Sequence, residues 1–415
     1  MNAIAGEAIV ASGATGAQPE TQARVTLIDA LRGAALFGVL LINMLWFAGQ
    51  QHAMSAAQYA ALPSAKLDES VENLIDLFVA AKAIGIFSFL FGVGFAMQIP
   101  KLGARYPRRL IALFAIGLVH WLAVWSGEIL HVYAIAGFLL LLVYRMRSAW
   151  LVGIGLMLAI FARPIVGRLY LLIEPNMAAA DVLDSALMTQ RFEIMSHGSF
   201  LDVVSMQLHQ DIRWQLLTGA TLAGVVHALG RFMVGVAVAR SGCLSEPARF
   251  QRAFWVIALI GLPVGLLLEH EWLFTGWLHD HGWLSTRLPI EIVGHAINSV
   301  GVLCMTAGYI AAFAIAWLWK PLRSALMLLA PAGRMALTNY LMQTVVNYLL
   351  FCGFGFALIG TVGVAGCLAL SLLVFAGQLV ASRWWLENFD FGPFEWLWRW
   401  WTYGVRPPLR QKVRA

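Results

Sequence analysis

Leu27-Ile28-Asp29-Ala30-Leu31-Arg32-Gly33-Ala34-Ala35-Leu36-Phe37-Gly38-Val39-Leu40-Leu41-Ile42-Asn43 sets an aspartate and an arginine at the head of a run otherwise built for lipid. Asn43 follows Arg32 by about three helical turns and about 16 Å of rise, so it returns almost to the same face. Charged groups inside a membrane helix are costly and usually serve a purpose. The stretch reads as a membrane span with a polar line along it.

Hydrophobic residues fill 60% of the 415 positions and charged ones only 12%, about half the charged share of a soluble domain. Apolar runs of spanning length recur throughout. Ten spans are expected, at residues 30–48, 74–99, 109–126, 129–145, 149–173, 215–239, 253–270, 290–318, 334–352 and 359–381. Hydrocarbon leaves few other ways to satisfy backbone polar groups, so the fold class is all-α, a polytopic membrane helical bundle.

The connections orient it. Lys101, Arg105, Arg108 and Arg109 fall between spans two and three, and Arg145, Arg147, Arg240, Arg249, Arg252, Lys320 and Arg323 follow later even-numbered spans. The alternate loops carry Asp68, Glu69, Glu72, Glu174, Asp181, Asp184, Glu269, Glu271 and Asp280. By the positive-inside rule both termini are cytoplasmic. The net charge of +6 is thus a topology signal; its dispersal over helix ends argues against nucleic acid as a partner. Cys243, Cys304, Cys352 and Cys367 offer no metal spacing and no expected disulfide.

Residues 1–24, rich in small and polar side chains, read as a disordered tail, with the first span an uncleaved anchor. Residues 25–386 form the bundle, and 387–415 an aromatic and basic interfacial tail. Segment 174–214 is the one long connection, read either as a solvated link or as a lid, its second half helical and lying along the membrane surface. A second outer loop, 271–289, carries Trp272, Trp277, Trp283, His279 and His281 at headgroup level. No internal repeat is visible.

Polar residues gather near the outer ends of the early helices: Asn43, His52, His120, Glu128 and His131. Glu128 and His131 are three apart and share a face if a helix starts there. A carboxylate beside an imidazole orients it and suits it to general-base work. Two plainer readings compete: Glu128 as a helix N-terminal charge, and His120 as an interhelical hydrogen bond. Asn339, Gln343 and Asn347 stack on one face of the ninth span, preceded by Arg334 and Thr338; amides there serve as glue between helices or line a passage. Lys82 lies about 12 Å deep if its helix begins near residue 74, and marks the membrane edge if 69–81 is a separate interfacial helix. Gly92 and Gly94 suit tight helix packing. His227 with Arg231 and His295 with Asn298 are further intramembrane polar pairs.

Five motifs carry a resemblance: Ile28-Asp29-Ala30-Leu31-Arg32-Gly33 with Asn43; Phe87-Ser88-Phe89-Leu90-Phe91-Gly92; Gly127-Glu128-Ile129-Leu130 with Tyr133-Ala134; Gly333-Arg334-Met335-Ala336-Leu337-Thr338-Asn339-Tyr340 with Gln343; and Gly392-Pro393 with Glu395-Trp396. In this order they resemble the YeiB-like family of bacterial inner-membrane proteins, over nearly the whole chain after residue 24. Where that family carries aspartate in the turn between spans three and four, this chain has Glu128.

The family is in turn similar to the transmembrane acyltransferase superfamily, which includes the acyltransferase-3 O-acetylases and heparan glucosaminide N-acetyltransferase. The resemblance implies acyl transfer from cytosolic acetyl-CoA or another acyl-CoA to a periplasmic glycan, lipid or small-molecule acceptor, in the bacterial inner membrane, with a homodimer among the admissible assemblies. Acyltransferase-3 proteins follow their first-helix arginine with a histidine; here Arg32 matches, but Asn43 occupies the histidine position. The heparan enzyme also has asparagine there and a histidine shortly after, near which His52 falls. On this reading the base is His52, His120 or His131, the last two beside Glu128. Asn43 donates to the oxyanion, and Arg32, Arg108, Arg109 and Arg334 hold the CoA phosphates. Asp29, Lys82, Asn339 and Gln343 line the cavity, and no metal takes part. A transporter or flippase of a small amphiphile and a non-catalytic scaffold are the alternatives.

Overall fold

The computed structural model describes residues 18–49, 54, 56–173, 185–270, 276–277, 281 and 287–410. His52, most of the 1–24 tail, residues 174–184, most of loop 271–289 and residues 411–415 lie outside the described residues. Among the described residues the chain is helical, with one isolated bridge joining Phe389 to Arg410.

The helices are α1 (Gln18–Phe47), α2 (Ala56–Ala60), α3 (Ala65–Phe78), α4 (Lys82–Leu102), α5 (Tyr106–Ala123), α6 (Leu130–Val143), α7 (Ser148–Ile173), α8 (Ser185–His197), α9 (Phe200–Met206), α10 (Arg213–Leu217), α11 (Ala220–Ser241), α12 (Gln251–Glu269), α13 (Arg287–Leu318), α14 (Lys320–Met327), α15 (Ala330–Arg334), α16 (Ala336–Phe351), α17 (Val364–Asn388) and α18 (Pro393–Tyr403). Each apolar segment expected from the sequence falls on a helix. Among the described residues seven helical segments are long and apolar enough to cross a membrane, one of them the 59-residue stretch holding α3, α4 and α5. Two helices on expected spans are shorter: α6 has 14 residues and α16 has 16.

Two boundaries differ from expectation. Helix α1 begins at Gln18, seven residues before the tail was expected to end. The expected span 74–99 is two helices, broken where Ala81 takes a left-handed φ of 60°. The break makes α3 a separate amphipathic helix and puts Lys82 at the start of α4.

Burial ranks the helices. Of the apolar window of α1, 67% is buried, against 17% for α12, so α1 is the axis of the bundle and α12 its rim. Leu36, Leu40, Met44 and Phe47 of α1 are fully enclosed, where the helix packs on α4, α15, α16 and α17. Leu142, Leu259, Leu373 and Val380 face outward, as lipid-facing side chains do. Small residues set the closest crossings. A Cβ on Gly92 would lie 2.1 Å from the Phe232 carbonyl oxygen, and one on Gly235 would lie 2.2 Å from that of Phe89, so α4 and α11 touch backbone to backbone. Gly94 has no such contact.

Candidate functional site

Glu128 closes the turn between α5 and α6. Its carboxylate accepts hydrogen bonds from the backbone amides of Leu130 and His131, and Oε2 lies 2.7 Å from His131 Nδ1. The carboxylate thus satisfies two amides that a helix start leaves without intrahelical partners. Gly117 allows the approach, since a Cβ there would sit 2.4 Å from the His131 nitrogen. An ionised Glu128 accepts from Nδ1–H and leaves Nε2 as the lone-pair nitrogen. That nitrogen is buried and has no hydrogen-bond partner. Trp121 stacks on the ring at a centroid distance of 4.3 Å, and Gln215 Oε1 accepts from the Trp121 indole at 3.1 Å.

Further unpaired polar atoms surround this pair. Both ring nitrogens of His120 are buried without partners, and its ring lies 5.8 Å from that of Tyr340. The Glu128 charge acts on Tyr340, which places α16 beside the turn. Helix α1 reaches the same region through Phe47, 5.3 Å from Trp125 and 4.8 Å from Tyr348; Asn43, half-buried, lies one turn earlier. On α16 the stripe continues with buried, unpartnered atoms on Gln343, Thr344 and Asn347. Native interiors pair nearly all such atoms, so a cluster of exceptions marks a place for water or ligand.

Helices α8 to α10 cover this end. Gln207 accepts from the Ser126 amide at 2.7 Å and donates to Tyr348 at 2.7 Å. Ser126 also donates to Asp211 at 2.9 Å, and Gln215 donates to the Ser126 carbonyl at 3.0 Å. Between α9 and α10 the chain makes a π turn, Gln207–Ile212, a feature frequent at functional sites. Helix α9 starts on a capping box between Ser199 and Asp202, whose hydrogen bonds hold the Asp202 carboxyl below its usual range. An open cleft of about 550 Å³ lies on the cover, lined by Glu193, His197, Asp202 and His209 among others.

The other end of α1 and α5 is basic. Arg32 pairs with Asp29 at 3.0 Å. The Arg334 charge acts on Asp29, and those of Arg32 and Arg399 act on Arg109. Arg109 stacks its guanidinium over Trp398 at 3.5 Å. Arg108 is exposed beside Gly404. Glu395 of α18 accepts from the Leu337 and Thr338 amides at 2.7 and 3.1 Å and from the Thr338 hydroxyl at 2.5 Å, capping α16. The tail is therefore packed into the bundle as well as interfacial in composition.

The structure thus brings His120, Glu128 and His131 together, with α1 alongside, and gathers Arg32, Arg109 and Arg334 at the opposite end. Lys82 joins neither group: it pairs with Glu269 at 2.9 Å and donates to the Asp76 carbonyl at 2.8 Å. Asn339 is glue, donating to Ser382 at 2.9 Å and to the Ala332 carbonyl at 3.2 Å. Gln343 donates to Gln378 at 3.0 Å and keeps a free carbonyl. His295 is exposed. Sequence reasoning missed Trp121, Tyr340, Tyr348 and Gln207 as parts of the site. Tyr340 alone left a trace, at the end of the Gly333–Tyr340 motif.

An all-helical chain with seven membrane-length segments and an ionisable group enclosed among its helices has the make-up of a multi-pass membrane protein. Residues 238–405 match the family described as protein of unknown function DUF418. The chain is 27% identical to the uncharacterized protein YxaH of Bacillus subtilis (strain 168), over 95% of this chain and 98% of the relative. It is 28% identical to the uncharacterized protein YeiB of Escherichia coli (strain K12), over 94% and 99%. An uncharacterized 39.9 kDa protein of Bacillus acidopullulyticus is 26% identical over 94% and 97%. These matches support the YeiB-like resemblance over nearly the full length. No solved structure matches.

Proposed function

We propose that the chain is a membrane-embedded acyltransferase, moving an acyl group, acetyl in the simplest case, from acyl-CoA at the basic end to an acceptor hydroxyl or amine at the other. The carrying observation is His131: Glu128 binds its Nδ1, while Nε2 is buried and unpaired. In the proposed reaction Nε2 takes the acceptor's proton as the acceptor attacks the thioester carbonyl. The C–S bond then breaks, and the CoA sulfur leaves with the proton from the imidazolium. Asn43 donates to the oxyanion; His120 is a second imidazole within reach, and His52 remains a candidate by resemblance. Arg32, Arg109 and Arg334 receive the phosphates, with Arg108 at the entrance. Arg32 and Asn43, like Arg109 and His120, lie about 16 Å apart by helical rise, a gap that an extended pantetheine arm can bridge.

Membrane placement belongs to the same proposal. Helices α4 and α5 share one long apolar segment, and with α6 and α16 counted the crossings come to ten. The basic end then faces the cytoplasm of a bacterial inner membrane, with both termini.

The unpaired amide atoms of Gln343 and Asn347 favour a second reading, a polar passage for a small amphiphile without covalent chemistry. Purified protein in nanodiscs, given radiolabelled acetyl-CoA and a membrane extract as acceptor, separates the two. Acyl transfer predicts thiol release and labelled acceptor that vanish in His131→Ala. Thiol release equal in wild type and His131→Ala refutes it, and flux of an amphiphile without thioester turnover favours the passage.

A further inference from the structure

Arg231 lies near the middle of α11, about 16 Å by helical rise from the helix start, and is only 6% exposed. Its Nε has no hydrogen-bond partner. No described carboxylate pairs with it: Asp29 is held by Arg32, Asp68 by Ser64 and the Ala365 amide, Glu128 by the start of α6, and Glu269 by Lys82. The neighbouring charge is of the same sign, since Arg163 of α7 acts on both Arg231 and His227. His227, one turn earlier on α11, is 8% exposed, and its Nδ1 is also unpartnered. From α6 the Tyr133 hydroxyl approaches, 2.6 Å from Ser88 of α4. On α4 Gly85 lies against the guanidinium: a Cβ there would sit 3.7 Å from its central carbon, and 2.8 Å from the Thr306 hydroxyl of the neighbouring helix.

A guanidinium cannot shed its proton, and an enclosed charge without a counter-charge costs several kcal/mol. A second guanidinium acting on the first increases that cost. The missing term is an anion. We propose that Arg231, with His227 and Arg163, binds an oxyanion, a phosphate or carboxylate group, that enters from α7, where Arg163 is exposed. A planar fork of donors suits two oxygens of such a group. The proposal does not rest on the acyl-transfer reading.

The shared chemistry has two sources, a free small acid and an anionic lipid headgroup. The full chain in phosphatidylcholine nanodiscs is titrated with inorganic phosphate and, separately, with acetate; a third arm replaces part of the lipid with phosphatidylglycerol. Melting temperature is followed in each. At least one arm is expected to raise it saturably, with apparent affinity at least tenfold weaker in Arg231→Gln and also reduced in Arg231→Lys, which lacks the fork. A response confined to phosphatidylglycerol assigns the headgroup, and one to phosphate or acetate assigns the free acid. Without added anion, Arg231→Met is expected to melt at or above wild type, the reverse of what a structurally paired arginine gives. No saturable response in any arm, or an undiminished one in Arg231→Gln, overturns the proposal. A fall in the Arg231→Met melting temperature overturns it independently of any ligand.

Discussion

Glu128 and Glu395 solve the same problem at opposite ends of the bundle. Each carboxylate takes two successive backbone amides at a helix start and then a side-chain group from the second of those residues. At Glu395 that group is the Thr338 hydroxyl, which also accepts from the Phe394 amide at 3.1 Å, and the network closes. At Glu128 it is the His131 imidazole, whose far nitrogen is left unpaired. One network uses its hydrogen-bonding capacity up, while the other leaves a base at its open end. Capping geometry alone therefore does not distinguish a structural carboxylate from a chemical one; the atom beyond it does.

The largest expected effect tests the open network. His131→Ala should lower thioester turnover by about 10²–10⁴-fold, and Glu128→Gln by roughly 10²-fold or more, because the amide no longer fixes the tautomer. Turnover within threefold of wild type in both would make Glu128 a cap like Glu395.

The closed network should answer in stability instead. Glu395→Ala strands two amides and is expected to cost about 2 kcal/mol, and Thr338→Val about 1 kcal/mol, both with unchanged turnover per folded molecule. Burial raises the Glu395 pKa above its usual value, and hydrogen bonds from Thr338 and Leu337 oppose the shift without cancelling it. The folded chain then binds this proton more tightly than the unfolded chain does. The contribution is full below the unfolded pKa and is lost as pH rises through the folded one. Melting temperature from acidic to neutral pH should accordingly fall more in wild type than in Glu395→Gln. Parallel curves would mean that Glu395 binds its proton equally in the folded and unfolded chains.

How much was legible follows from distance along the chain. The apolar segments were readable as helices because hydrocarbon-length runs admit little else. Glu128 and His131 were readable as a pair because one helical turn holds both. The cap by Glu395 spans more than fifty residues, and the tail that carries it read as an anchor because its tryptophans dominate its composition. Trp121 and Tyr340 meet the dyad only through tertiary packing, which no local pattern encodes. The break before Lys82 was open to either reading, since neither glycine nor proline marks residues 79–81 and Ala81 takes the left-handed turn unaided.

The smallest expected effect concerns the cover, where the two ends also differ. At the basic end Trp398 donates to the Arg109 carbonyl at 2.7 Å and pins α18 to α5. At the Glu128 end α9 and α10 are held by buried Val203 and Met206 and by polar side chains: Gln207 between Ser126 and Tyr348, Gln215 on Ser126, and Asp211 under the Ser126 hydroxyl. Side-chain hydrogen bonds of this kind contribute about 0.5–1.5 kcal/mol each, so losing one or two of them should loosen α9 and α10 without reaching α18. Tyr348→Phe removes one such bond and the tyrosine's donation to the Val124 carbonyl. Hydrogen exchange in 200–217 should then quicken by about tenfold while exchange in α18 stays constant, since about 1.4 kcal/mol corresponds to a tenfold change in opening. If the substituted chain exchanges faster at both ends alike, the cover is part of one cooperative unit with the bundle. It then has no independent motion with which to admit an acceptor.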